Sequence, residues 1–93
     1  MSEAIKIMAP ERLDSNSSPE FEAEVKAVFT KGYSNILFDL SETAYVSSAG
    51  LRVFLGTQKK ANALGGKLTL TGVRPPIMEI FEVTGFSGTL TII

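Results

Sequence analysis

The sequence predicts an α/β fold in which strands and helices alternate, β-α-β-α-β-α-β, around a mainly parallel four-stranded sheet with the helices largely on one face. Three observations carry this. Apolar residues recur with period two at 4–8, 67–71 and 89–93 and run on without a break at 36–38, as strands do, while the segments between show helical spacing. Glycines close each helical segment, at Gly32, Gly65-Gly66 and Gly85, so the links are short. A helix between consecutive strands then requires parallel pairing through right-handed crossovers. Most of the strands alternate, where a sheet covered on both sides would be apolar throughout, so one threonine-bearing face is left to water or to a partner.

Each element has its own local reason. Ile5 and Ile7 against Lys6 mark a first strand from Ala4 to Met8. Ala9 to Ser17 is loop in composition, with Pro10, Asp14, Ser15, Asn16 and Ser17 able to bond the local backbone. Ser18-Pro19 opens the first helix, the serine held extended as the N-cap and the proline suited to the first helical position. Glu20 favours the positive end of that helix, and Phe21, Val25, Val28 and Phe29 form its buried stripe before Lys31-Gly32 ends it. The second strand, Asn35 to Leu40, reads as buried in the sheet interior.

The second helix is headed by Ser47 and Ser48, hydroxyls placed where unpaired backbone N–H groups point outward. Leu51, Phe54, Leu55 and Leu64 supply its apolar side, Arg52, Lys59, Lys60 and Asn62 its solvated side, and Gly65-Gly66 its stop. Lys67 to Thr71 sets Leu68 and Leu70 against Thr69 and Thr71. A third helix from Pro75 or Pro76 turns Ile77, Ile80, Phe81 and Thr84 to one side, and Thr89 to Ile93 closes the sheet with Leu90 and Ile92 inward.

Composition narrows the chemistry. Ninety-three residues, 44% apolar and 20% charged, make one domain that buries its own core. A net charge of −1 provides no field to steer the chain onto nucleic acid or an anionic membrane. The absence of cysteine and histidine removes thiol nucleophiles, serine–histidine pairs and imidazole metal ligands, so an enzyme is not expected, nor a cofactor or metal site. Met1 to Lys6 lacks the basic region and apolar core of a signal peptide, and no apolar run approaches the roughly 18–20 residues of a membrane span; a cytoplasmic location is expected.

In a parallel sheet the loops leaving the carboxyl ends of the strands gather along one edge, where open α/β proteins place their sites. Here that edge holds Arg12 to Asn16, Ser41 to Ser48 and Gly72 to Arg74. Its contents are hydroxyls, the acids Asp14, Asp39 and Glu42, and arginines at 12, 52 and 74, with no base of suitable pKa. Read alone, Ser47 and Ser48 are a helix cap contributing about 0.5–2 kcal/mol. If accessible, a phosphate there would meet free N–H groups and the positive helix end, and its charge of about −1.5 to −2 would act on whatever touches the edge. Gly50 and Gly56 read as close-packing positions, since no phosphate-loop pattern surrounds them.

Asp39-Leu40-Ser41, followed by Tyr45-Val46-Ser47-Ser48-Ala49-Gly50-Leu51, resembles the signature segment of STAS domains, the family of the bacterial anti-sigma factor antagonists. The likeness covers nearly the whole chain, from Arg12-Leu13-Asp14-Ser15 through Gly65-Gly66-Lys67-Leu68 to Thr84-Gly85-Phe86 and the closing strand. It implies a STAS-like single domain over residues 1–93. In antagonists of this family a kinase that is itself the anti-sigma factor phosphorylates a serine directly before the small residue and Gly-Leu, a position held here by Ser48, with Ser47 the alternative acceptor. The unmodified antagonist binds the anti-sigma factor and frees sigma, the phosphorylated form lets go, and a serine phosphatase resets it. The implied partners are that kinase and phosphatase, without nucleic acid or membrane insertion. The surface expected to meet them comprises Arg12, Leu13, Asp14, Ser15, Ser47, Ser48, Gly50, Arg52, Gly72 and Arg74.

Two departures from the family pattern are visible. Ser47 stands where many antagonists carry aspartate, which changes the local electrostatics. The stretch before the first strand is also short for the opening strand of many relatives, which leaves that strand's edge free and makes the expected state a monomer or weak dimer. The same resemblance also fits an unmodified scaffold subunit of a transporter or stress-sensing assembly, and the loop edge alone fits a small-ligand sensor.

Overall fold

The chain runs β1 (Ile5–Met8), β2 (Arg12–Leu13), α1 (Ser18–Thr30), β3 (Asn35–Asp39), β4 (Tyr45–Val46), α2 (Ser48–Ala63), β5 (Lys67–Thr71), α3 (Pro75–Val83) and β6 (Thr91–Ile92), in a computed structural model that describes residues 4–93. Met1, Ser2 and Glu3, on which part of the signal-peptide reading rests, lie outside the described residues. The main sheet has the order β1-β3-β5-β6 with every pairing parallel. The expected alternation of four strands and three helices is therefore the observed architecture.

The register explains why helices cover one face. Ile7, Phe38, Leu70 and Ile92 are aligned across the sheet, as are Ile5, Ile36 and Leu68 one step below. Against this face lie Phe21 of α1, Phe54 of α2, and Ile77 and Phe81 of α3, all buried. Four rings form a line through the core: Phe21 to Phe38 at 5.0 Å, Phe38 to Phe54 at 5.6 Å, and Phe54 to Phe81 at 6.1 Å. Tilted and edge-on pairs at such separations contribute about 0.5–1.5 kcal/mol each beyond their area.

On the opposite face, Lys6, Leu37, Thr69 and Thr91 make one row, and Met8, Asp39 and Thr71 the next. No residue of these rows is buried, and Lys6 Nζ lies 3.1 Å from the Asp39 carboxylate. Leu37 is half-buried for this reason, so the apolar run of the central strand reflects flanking strands rather than cover from both sides.

Four local expectations are corrected. The N-cap of α1 is Ser17, one residue earlier than expected, because Asp14 turns the chain: its carbonyl already accepts the Ser18 N–H at 2.8 Å. The segment expected to be loop throughout carries β2, which pairs in parallel with β4 as a separate two-stranded ribbon. Leu64 is 51% exposed at the end of α2 rather than part of its buried side. Gly56 is exposed with open space around it and is no close-packing position.

Candidate functional site

The loops after β1 and β3 are tied together before α2 begins. Arg12 pairs with Tyr45 and Leu13 with Val46 in the ribbon; the N–H groups of Ala44 and Tyr45 donate to the Glu11 carbonyl, and that of Ser47 to the Leu13 carbonyl at 2.8 Å. Thr43, fully buried, donates its hydroxyl to the Pro10 carbonyl at 2.9 Å. An extended chain thus delivers Ser47 to the head of α2 at φ −88° and ψ 176°, an N-cap conformation. Its Oγ accepts the Gly50 N–H at 3.4 Å, a long bond. Ser48 is the first residue of α2 and is exposed, while Ser47 is half-buried.

Gly50 is what allows the ribbon to lie against α2. A Cβ there would stand 2.9 Å from both Leu13 Cγ and the Leu13 carbonyl oxygen. Leu13 is fully buried and Gly50 buried against it, so these two members of the expected partner surface hold the edge together from beneath and offer no side-chain surface of their own.

Of the remaining expected residues, Arg12, Ser15, Arg52 and Arg74 are exposed and Asp14 is half-buried. The Arg12 guanidinium stacks 4.6 Å over the Tyr45 ring and approaches the Asp14 carboxylate at 3.6 Å. Tyr45, 40% exposed, is a surface aromatic that the sequence reading passed over; its adjacency to the serines was the available signal. Gly72, at φ +68°, brings the β5–α3 loop so near Ser41 that a Cβ would stand 3.0 Å from it, and Arg74 Nε donates to the Ser41 carbonyl at 2.8 Å. Gly72 and Arg74 therefore join the edge through Ser41. Arg52, one turn beyond Ser48, makes no hydrogen bond, ion pair or ring contact among the described residues.

Two acids of the edge, Asp14 and Asp39, are poor bases. Hydrogen bonds from Ser41, its hydroxyl first and then its backbone N–H, together with the Lys6 ammonium, hold the Asp39 carboxyl down at about 2. The backbone N–H groups of Ser17 and Asn16 hold Asp14 below its ordinary 3.8. Glu11, Glu20, Glu24 and Glu42 surround a cavity of about 370 Å³ beside the edge, floored by Met8, Pro10 and Phe21. No group of three or more His, Cys, Asp or Glu among the described residues could hold a metal ion. What the edge offers is hydroxyls, an aromatic ring and guanidinium groups, a surface for recognition and for receiving charge.

A one-sided helical cover over a parallel sheet, with a serine-headed helix at its loop edge, is the arrangement of the STAS domain family, whose model matches residues 2–93; the chain belongs to that family. BtrV of Bordetella bronchiseptica, provisionally named an anti-sigma factor antagonist, is 38% identical over 74 residues, 80% of this chain. The chain spans 64% of the length of BtrV. The anti-sigma-B factor antagonist of Listeria monocytogenes is 28% identical over 88 residues, which is 95% of this chain and 77% of that protein. Among solved structures, the Bacillus cell fate determinant SpoIIAA in its phosphorylated form matches with a TM-score of 0.75 over all of this chain and 85% of that one. At 18% identity that likeness establishes the fold. These relatives are named for regulatory binding rather than catalysis, and no helix among the described residues is long and apolar enough to cross a membrane.

Proposed function

We propose that this protein is an anti-sigma factor antagonist switched by phosphorylation of Ser48. The observation that carries the reading is the division between two adjacent serines: Ser47 is half-buried with its hydroxyl engaged by the Gly50 N–H, whereas Ser48 is exposed at the first position of α2. The names of the relatives supply the antagonist role, and the existence of phosphorylated and unphosphorylated SpoIIAA structures supports the kind of switch.

In the unmodified state the edge presents Ser48, Tyr45, Arg12 and Arg52 to the anti-sigma factor, and the resulting complex frees sigma. A kinase activity of that partner transfers phosphate to the Ser48 hydroxyl. The new charge sits at the positive end of α2, with no acidic residue in the first turn to oppose it, so the domain carries the group without rearranging. The same charge changes the electrostatic match across the docking edge, and the complex separates. A serine phosphatase restores the hydroxyl. This cycle belongs in the cytoplasm.

Intact-mass analysis after incubation with ATP and a serine-kinase anti-sigma factor tests the proposal. The wild-type chain and Ser47→Ala gain one phosphate and Ser48→Ala gains none. Phosphate retained in Ser48→Ala moves the acceptor elsewhere. Stoichiometric binding without any phosphate replaces the switch with an unmodified scaffold.

A further inference from the structure

We infer that Arg52 receives the Ser48 phosphate within the same helix, so that phosphorylation withdraws this guanidinium from the docking edge while adding negative charge to it. The inference rests on the proposed modification of Ser48. Both residues are exposed, and both lie in α2 four positions apart. That spacing brings their Cβ atoms to about 5–6 Å, well within the span of an arginine. The order is also the favourable one, anion toward the amino end of the helix and cation one turn toward the carboxyl end.

The other arginines are already occupied. Arg12 lies over Tyr45 and beside Asp14, and Arg74 is bonded to the Ser41 carbonyl. Arg52 has no such contact among the described residues, and the first turn of α2 holds no acid that could capture it. The remaining charged groups of the edge are directed elsewhere: Asp14 toward Arg12, Asp39 toward Lys6, and Glu42 toward the cavity beside α1. A guanidinium presents paired N–H donors that match two phosphate oxygens, so the contact is a fork rather than a point charge.

The two effects of modification then act in one direction. Before phosphorylation Arg52 is available to a carboxylate of the partner. Afterwards the partner meets a guanidinium neutralised by its own helix and a residual negative charge beside it.

The test uses the full chain with phosphoserine genetically encoded at position 48, which requires no kinase. Phosphorus NMR is followed against pH in the wild-type background and in Arg52→Gln and Arg52→Lys. The second phosphate pKa is expected to be lower in the wild type than in Arg52→Gln by about 0.5, with Arg52→Lys between them. Coincident titrations of wild type and Arg52→Gln overturn the inference. Since Arg52 is exposed, circular dichroism of the variants should match the wild type. A kinase that never modifies Ser48 defeats the proposed function and leaves this titration readable. A kinase that does modify it, alongside coincident titrations, keeps the function and removes the clamp.

Discussion

α1 and α2 begin on the same dipeptide and turn it in opposite directions. At α1, the Asp14 carboxylate collects the N–H groups of Asn16 and Ser17, and Ser17 Oγ donates to the Arg12 carbonyl at 2.6 Å while accepting the Asp14 N–H at 3.0 Å. Ser17 is already helical at φ −91° and ψ −22°, and Ser18 is driven inward, 4% exposed with no partner for its hydroxyl. At α2 the chain arrives extended from β4, Ser47 faces back along the helix as its cap, and Ser48 is left outside. A turn precedes one pair and a strand the other. In these two helix starts, the backbone that leads in decides which serine is buried and which is left exposed.

The largest test of this contrast lies three residues beyond each cap. Gly50→Val would drive a branched side chain into Leu13 and its carbonyl, and overpacking of that kind costs on the order of 3 kcal/mol. Glu20 occupies the matching place in α1 and is exposed, so Glu20→Val should cost under about 1 kcal/mol, mostly from losing an acid near the positive helix end. Denaturant midpoints at constant m-value compare the two. Equal losses would mean that the ribbon does not depend on the close approach of Leu13 to Gly50.

A smaller difference is expected at the caps themselves. Ser17→Ala removes a hydroxyl that joins Arg12 to Asp14 in a partly buried loop, and should cost about 1–2 kcal/mol. Ser47→Ala removes one bond of 3.4 Å, which places it near the lower end of cap substitutions, about 0.5 kcal/mol. The reverse ranking in the same unfolding measurement would show that α2 depends on its cap more than the ribbon and Gly50 allow.

These contrasts also separate what the sequence reveals from what it hides. The alternation of strands and helices was legible because each long element repeats a period, as Phe21, Val25 and Val28 do in α1 and Leu68 and Leu70 do in β5. The family was legible because several segments stand at the right spacing around Ser48 and Gly50. The ribbon was not, since β2 and β4 have two residues each and two residues display no period. Without the ribbon, Leu13 looked like surface and the close packing expected at Gly50 had no visible partner, although each is buried against the other. The cap of α1 was misplaced by one residue because Pro19 is a strong local signal, whereas the Asp14 turn depends on hydrogen bonds that no pattern records. Gly50 and Gly56 look alike in sequence and differ only in what stands opposite them.

The smallest expected difference between the two entrances appears in acid. Asp14 is held below its ordinary 3.8 by the N–H groups of Ser17 and Asn16, with Arg12 assisting. A carboxyl with a depressed folded-state pKa contributes stability that is fully present above its unfolded value and is lost as the pH falls through the folded one. The entrance to α1 should therefore loosen below pH 3.8, and that to α2 should not, since its first turn contains no acid. Asp39, held at about 2, gives way later and at the sheet rather than at either serine pair. Amide protection at Asn16 to Ser18 should fall over this range while that at Ala49 to Leu51 holds. Asp14→Asn should make the first region insensitive to pH, because an amide accepts the same hydrogen bonds without titrating. Parallel losses in both regions would mean that acid acts on the whole fold, and the turn at Asp14 would cease to be what distinguishes the two helix starts.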